Sequence, residues 1–345
     1  METFIFTLIL SLLCGGLVVW GAATLPKEGW QMLGAVPIQK NTDGSWAAMN
    51  FTYYGLFNGL SYTLATALAT VLISAIHVPV SALLFIVLGV LGICIPASKL
   101  IASIVEKKKH TFSVGGASFA GIILTPWITY TASLYWTEIQ VLPILAAVSI
   151  AYTLGEGTGR LACLSFGCCY GRPIDSLPED LKPFFAKISL IFQEKTRKIS
   201  YADGLDGVPV VPVQVITASL YCASAIAGTV FFLTGYYTAA FLETLIVTQL
   251  WRFVSEFLRA DYRGGGMISA YQLMSFFAVL YASTIPLLLP LFNSVIPNIS
   301  VGIATLWSPT ALLGLQFLFI FTFIYTGKSS VTSATIHFHI RGDRI

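Results

Sequence analysis

Long, almost uncharged apolar runs separated by polar breaks recur along the chain, at positions 4–25, 50–76, 78–104, 112–136, 141–154, 213–234, 239–258, 268–292 and 301–326. A helix needs roughly 20 mostly apolar residues to cross a bilayer. The pattern therefore predicts an all-α fold, a polytopic membrane helix bundle of about nine transmembrane helices. The second run is rich in Gly, Thr and Tyr, and the fifth is short. The first run follows Met1-Glu2-Thr3 and lacks the basic start of a secretory leader, so an uncleaved helix is expected.

One long polar segment, 155–211, interrupts this rhythm. It opens on a glycine-rich run. Its stretch 176–197 mixes Phe184, Phe185, Ile188 and Ile191 with Lys182, Lys187 and Lys195, a pattern that fits either an amphipathic surface helix or a solvated loop. The tail 328–345 alternates Ile, His, Phe and His and is expected to be a short exposed segment.

Composition excludes a soluble fold. The chain is 56% hydrophobic and 10% charged, whereas a soluble domain carries about 25% charged residues. Net charge is +3, which says less than where the charges sit. Basic residues fall in, or near the span ends facing, alternate connections: 26–49, 106–111, the long polar segment, the turn 259–263 and the tail. By charge alone those connections face the cytoplasm and the N-terminus faces outward. Of six cysteines, Cys14, Cys94 and Cys222 read as small core residues.

Three constellations stand out. In Arg252-Phe253-Val254-Ser255-Glu256-Phe257-Leu258-Arg259, spacings of four and three put both arginines and the glutamate on one helical face. Intramembrane charges usually face a bundle interior or an aqueous cavity, and two arginines with an orienting carboxylate suit a phosphate-bearing head group. An intrahelical salt-bridge ladder is the alternative. The second constellation is Gly155-Glu156-Gly157-Thr158-Gly159-Arg160, continuing through Cys163, Cys168 and Cys169 to Gly171-Arg172. Its glycines permit close backbone approach. The cysteines lack a paired Cys-x-x-Cys arrangement and no histidine is close, so no metal and no cofactor is expected; a disulfide from Cys163 to Cys168 or Cys169 stays open. The third, Phe112 to Gly121, is rich in small residues that allow close helix contact.

In order, these segments resemble the prolipoprotein diacylglyceryl transferase family. The stretch Gly159 to Pro173 is similar to the family signature Gly-Arg-x-Gly-Asn-Phe-x-Asn-Gly-Glu-x-Trp-Gly-Arg, with Arg160, Gly167, Gly171 and Arg172 matching. Arg252-Phe253 through Glu256-Phe257 and Arg259 is similar to the family's Arg-Phe-x-x-Glu-Phe-x-Arg, and Ser269 with Gln272 to its later Ser-x-x-Gln. Tyr54-Gly55-Leu56 sits where the family has Trp-Tyr-Gly-Leu, and Pro212-Val213-Gln214 where it has His-Pro-Ser-Gln-Leu-Tyr-Glu. The resemblance covers 50–292 as a seven-helix core, leaving an extra helix and loop in 1–49 and an extra helix and polar tail in 293–345. Departures fall on polar positions. Ala120 occupies the family's histidine position, Cys163 and Cys168 replace the signature asparagine and glutamate, and Val211, Ile216 and Thr217 replace the polar residues around Gln214.

The resemblance implies transfer of a diacylglyceryl group from phosphatidylglycerol to a cysteine thiol of a prolipoprotein, releasing glycerol phosphate. It places the protein in the bacterial cytoplasmic (inner) membrane, working from the outer face. That is opposite to the charge-based orientation, and the family orientation is preferred because the substrate arrives after export. Arg160, Arg252 and Glu256 would be catalytic; Tyr54, Gly159, Gly171, Arg172, Gln214, Arg259 and Gln272 would bind substrate. The base is open between Glu256, a thiolate among Cys163, Cys168 and Cys169, and none. His110 reads as a loop residue, and His77, His337 and His339 are poorer candidates. A non-lipoprotein acceptor, or a non-catalytic lipid-binding protein, are the alternatives; no nucleic-acid partner is expected.

Overall fold

The computed structural model describes residues 1–105, 114–136, 139–261, 268–289 and 295–345; the whole 106–111 connection with His110, Phe112 at the start of the third constellation, and Arg263 with the glycines after it lie outside the described residues. Helix α1 (Glu2–Thr24) leads into a hairpin of β1 (Met32–Lys40) and β2 (Trp46–Thr52), then α2 (Tyr53–Ala75), α3 (Val80–Val105), α4 (Val114–Tyr135) and α5 (Val141–Phe166). The polar segment holds α6 (Lys182–Ile188), β3 (Leu190–Ile191), α7 (Lys198–Asp203) and β4 (Pro209–Val210). The chain then forms α8 (Val213–Leu233), α9 (Tyr237–Leu258), α10 (Ala270–Leu288), α11 (Ile299–Leu306), α12 (Pro309–Gly327) and β5 (Lys328–Ile336). Seven of these helices are long and apolar enough to cross a membrane. α4 and α9, at 22 residues each, match them in length. The protein is an all-α polytopic membrane bundle.

α5 is the central helix, packed on α2, α8 and α9, while α3 and α12 expose most of their apolar surface outward. Lipid tails are as apolar as these side chains, so close packing of small residues holds such a bundle together more than water exclusion does. This corrects the expected end of the fifth span at 154. Helix α5 continues to Phe166 because its glycines are interface residues: a Cβ at Gly155 would lie 2.8 Å from Ala65 of α2, and one at Gly157 would lie 3.0 Å from Tyr221 of α8.

Three further expectations are corrected. The last span is broken into α11 and α12 where Ser308 caps the second piece, its hydroxyl accepting from the Ala311 N–H at 3.3 Å with Pro309 at the first helical position. The stretch 176–197 is neither one surface helix nor a bare loop, but short turns and helices around Phe185 and Phe192. The tail is a strand: β5 pairs antiparallel with β2, Trp46 opposite Ile336, in a sheet of order β1-β2-β5.

That sheet fixes sidedness within the molecule. It ties the α1–α2 connection to the tail, and a bridge between Gly171 and Arg259 ties the long polar segment to the end of α9. The described basic connections thus gather at one end. At the other, Asn298 N–H donates to the Ala75 carbonyl at 2.8 Å and the Ser300 hydroxyl meets Glu2 at 2.5 Å.

Candidate functional site

Extending α5 past the glycines puts Tyr152, Glu156 and Arg160 on one face, spaced by four residues. The same face meets Arg252 of α9. Arg252 Nη2 lies 2.6 Å from both Glu156 carboxylate oxygens, and Arg160 Nη2 lies 2.5 Å from Glu156 Oε1. Tyr152 donates its hydroxyl hydrogen to Glu156 and accepts from Arg252 Nη2 at 3.1 Å. All three charged side chains are sequestered, with exposures of 4% for Glu156, 7% for Arg252 and 14% for Arg160. One carboxylate holding two guanidiniums leaves one net positive charge inside the bundle. Among the described residues the buried Nε–H groups of Arg160 and Arg252 have no hydrogen-bond partner, and a buried donor in that state calls for an explanation such as a bound group or water.

Depth matters as much as charge. α5 has 26 residues, about 39 Å at 1.5 Å per residue, against a hydrocarbon core of about 30 Å. If its first residue marks one edge of the core, Arg160 falls roughly at the other edge, where lipid phosphates lie. Gly115 of α4 lets Arg252 sit there: a Cβ at Gly115 would come 2.6 Å from the Tyr271 ring and 3.2 Å from Arg252 Nη1.

Above this pair, toward the polar end, the 167–173 loop closes the site. Gly167 ends α5 in the left-handed conformation, its N–H bonded to the Cys163 carbonyl at 2.9 Å. The loop is then zipped on both sides. Arg172 N–H donates to the Leu258 carbonyl at 2.9 Å, Ala260 N–H to the Tyr170 carbonyl at 3.1 Å, and Val211 N–H to the Arg172 carbonyl at 3.0 Å. Gly171 is required in this zip, since a Cβ there would lie 2.3 Å from the Val211 carbonyl oxygen. Burial and the bond to Asp203 push the Tyr170 hydroxyl well above its usual pKa.

The residues singled out in the sequence distribute unevenly. Arg160 and Arg252 come together. The carboxylate between them, however, is Glu156 and not Glu256, which lies 3.4 Å from the Ser269 hydroxyl at the start of α10. Arg259 does not join the pair; it makes a bidentate bond to Asp261 at 2.8 and 2.7 Å, beneath the loop. Tyr54 packs on Phe166, ring centres 5.4 Å apart. Gln214 donates to the Cys168 carbonyl at 2.9 Å. Gly159 faces Ser61 of α2. Gln272 forms a reciprocal capping box with Ser269 and donates to the Phe253 carbonyl at 3.2 Å, which makes it a brace between α9 and α10. Arg172 is exposed on the outer loop, 3.5 Å from the Ser176 carbonyl. Ala120 is buried within α4. Glu156 reads in the sequence as part of a glycine-rich break after a span ending at 154, and Tyr152 as an ordinary residue of that span; the four-residue spacing from Tyr152 through Glu156 to Arg160 is the signal that could have found them.

The sequence model of the prolipoprotein diacylglyceryl transferase family matches residues 45–288. A curated relative, phosphatidylglycerol–prolipoprotein diacylglyceryl transferase 2 of Clostridium perfringens, is 30% identical over 150 residues, 41% of this chain. The match spans half of that relative's length.

Proposed function

The chain belongs to the prolipoprotein diacylglyceryl transferase family, and from that premise we propose that it moves a diacylglyceryl group from phosphatidylglycerol to a cysteine thiol of an exported prolipoprotein in the bacterial cytoplasmic membrane. The carrying observation is the pair Arg160 and Arg252 on Glu156, whose two buried Nε–H groups have no acceptor among the described residues. The one net positive charge matches the single negative charge of a phosphodiester. As the C–O bond breaks and glycerol phosphate gathers a second negative charge, fixed guanidiniums stabilise the developing charge without reorganising. Glu156 and Tyr152 position the two arginines. Arg259, held by Asp261, is bridged to the 167–173 loop at Gly171, and Tyr54 and Gln214 meet the start of that loop at Phe166 and Cys168; in this reading these residues line the acceptor side.

Expression in cells depleted of their own diacylglyceryl transferase tests this reading. Growth should be restored, and membranes containing the protein should consume radiolabelled phosphatidylglycerol and release glycerol phosphate. Lipid consumption without rescue assigns a different acceptor; the absence of both overturns the transferase reading.

The sheet, the long polar segment and the site share one end of the bundle. An acceptor that arrives after export meets the outer face, so we infer that this end faces outward, against the bias of the basic residues. A cysteine placed at Asn41, exposed in the β1–β2 turn, should react with a membrane-impermeant maleimide in intact spheroplasts. Labelling only after lysis reverses the assignment.

A further inference from the structure

The signature loop gathers three thiols that the arginine pair does not use. Cys163 lies in the last turn of α5, and the chain reverses at Gly167 so that Cys168 and Cys169 fold back over it. Cys169 takes the left-handed conformation, φ 56°, uncommon for a residue with a side chain. The sulfur atoms of Cys163, Cys168 and Cys169 all lie within 4.8 Å of one another, and none is joined in a disulfide. Thiolates around a tetrahedral zinc ion, with bonds of about 2.3 Å, stand roughly 3.8 Å apart, so small side-chain rotations bring the three onto one ion. The carboxamide of Gln214 donates to the Cys168 carbonyl, while its oxygen is buried and has no partner among the described residues.

We propose that Cys163, Cys168 and Cys169 form a three-thiolate site for a soft divalent metal ion, zinc by ligand chemistry, whose fourth position takes the acceptor thiol. The acceptor role rests on the transferase reading above; the metal site does not. Three ligands with one open position is the arrangement of a reactive zinc centre, whereas four closed ligands mark a structural one. Three thiolates and a divalent ion carry one net negative charge, and Arg160 lies within electrostatic reach of Cys163 and Cys169, and Arg259 of Cys169. The site sits one turn from Arg160 along α5, so a thiol held there is beside the lipid phosphate. Such an ion also supplies what Ala120 cannot. When the acceptor sulfur takes the fourth position, its proton passes to water, because a coordinated thiol is deprotonated. The thiolate pair then forms the S–C bond to the glyceryl methylene while the C–O bond breaks and its electron pair leaves with glycerol phosphate. The neutral thioether binds the ion weakly and departs.

Metal content and cobalt spectroscopy of the purified, detergent-solubilised protein test the site without relying on turnover. The wild type should bind about one equivalent of zinc or cobalt, and Cys94→Ser, outside the loop, should bind the same. Cys163→Ser and Cys169→Ser should each lower affinity at least a hundredfold. Adding N-acetylcysteine amide to the cobalt form should raise the sulfur-to-metal charge-transfer absorbance by about a third, as three thiolates become four. No stoichiometric uptake, equal uptake by the serine variants, or a disulfide among these cysteines after alkylation and mass analysis overturns the metal site. Uptake with unchanged absorbance on adding the thiol overturns its acceptor role. A wild type that binds metal and passes the thiol test but consumes no phosphatidylglycerol instead fails the transferase reading alone.

Discussion

Replacing Arg252 with alanine is expected to lower diacylglyceryl transfer by about a hundred- to a thousandfold, with membrane insertion intact. Removing one preorganised donor to a developing oxyanion costs on the order of 10²–10³ in turnover, about 3–4 kcal/mol. The structure explains why the loss falls on activity and not on folding. Glu156 keeps Arg160 at 2.5 Å when Arg252 is gone, so no carboxylate is stranded in the bundle. Arg252→Lys should retain part of the activity, since it keeps the charge but cannot span both Glu156 oxygens while offering a further N–H to phosphate. Glu156→Ala should behave differently. It leaves two buried arginines side by side without their carboxylate, and intramembrane charges are tolerated mainly when paired, so the amount of protein in the membrane should fall along with activity. Phosphatidylglycerol turnover per inserted molecule separates the effects, and unchanged turnover in Arg252→Ala would sink the assignment of the phosphate site.

What the chain disclosed in advance follows from the physics of each signal. Spanning helices are legible because twenty apolar residues in a row have few other uses, and α2, α3 and α8 fall within a few residues of their expected bounds. The glycine run misled because glycine serves two purposes. In water it loosens a helix; between packed spans it lets α5 approach Ala65 and Tyr221. Only the second applies here, and taking the first hid Glu156. The arginines were visible because charge inside an apolar run is rare, but their partner depends on which helices meet, and local spacing favoured Glu256. The tail strand was invisible because its partner, β2, lies roughly 280 residues away and supplies the pairing. The thiol cluster had no metal-motif spacing for a related reason: one ligand comes from a helix and two adjacent ones from the loop folded back over it.

Arg197 carries the largest stability prediction. Its side chain is fully buried beneath the long polar segment. Nη1 donates to the carbonyls of Leu25 at 2.9 Å, Leu164 at 3.1 Å and Ser165 at 2.9 Å, and Nη2 to that of Lys27 at 2.5 Å. Leu164 and Ser165 belong to the last turn of α5, and Leu25 and Lys27 follow α1, so one guanidinium satisfies carbonyls that helix ends leave open. A cation there also complements both helix dipoles. Hydrogen bonds from a charged group contribute about 1.5–3 kcal/mol each, reduced where water replaces the lost donor. Arg197→Ala is therefore expected to destabilise the protein by about 3–5 kcal/mol, a fall in melting temperature of roughly 4–7 °C. Arg197→Lys should recover less than half, because an ammonium cannot reach four carbonyls arranged for a planar fork. The loss should propagate to the site, since Ile199 N–H is bonded to the Gly167 carbonyl at 2.9 Å and Gly167 begins the loop above Arg160. Thermal unfolding in detergent, followed alongside cysteine reactivity at Cys169, measures both effects. A melting shift below about 2 °C would show that water replaces the guanidinium and that the loop is held by its zip to the end of α9.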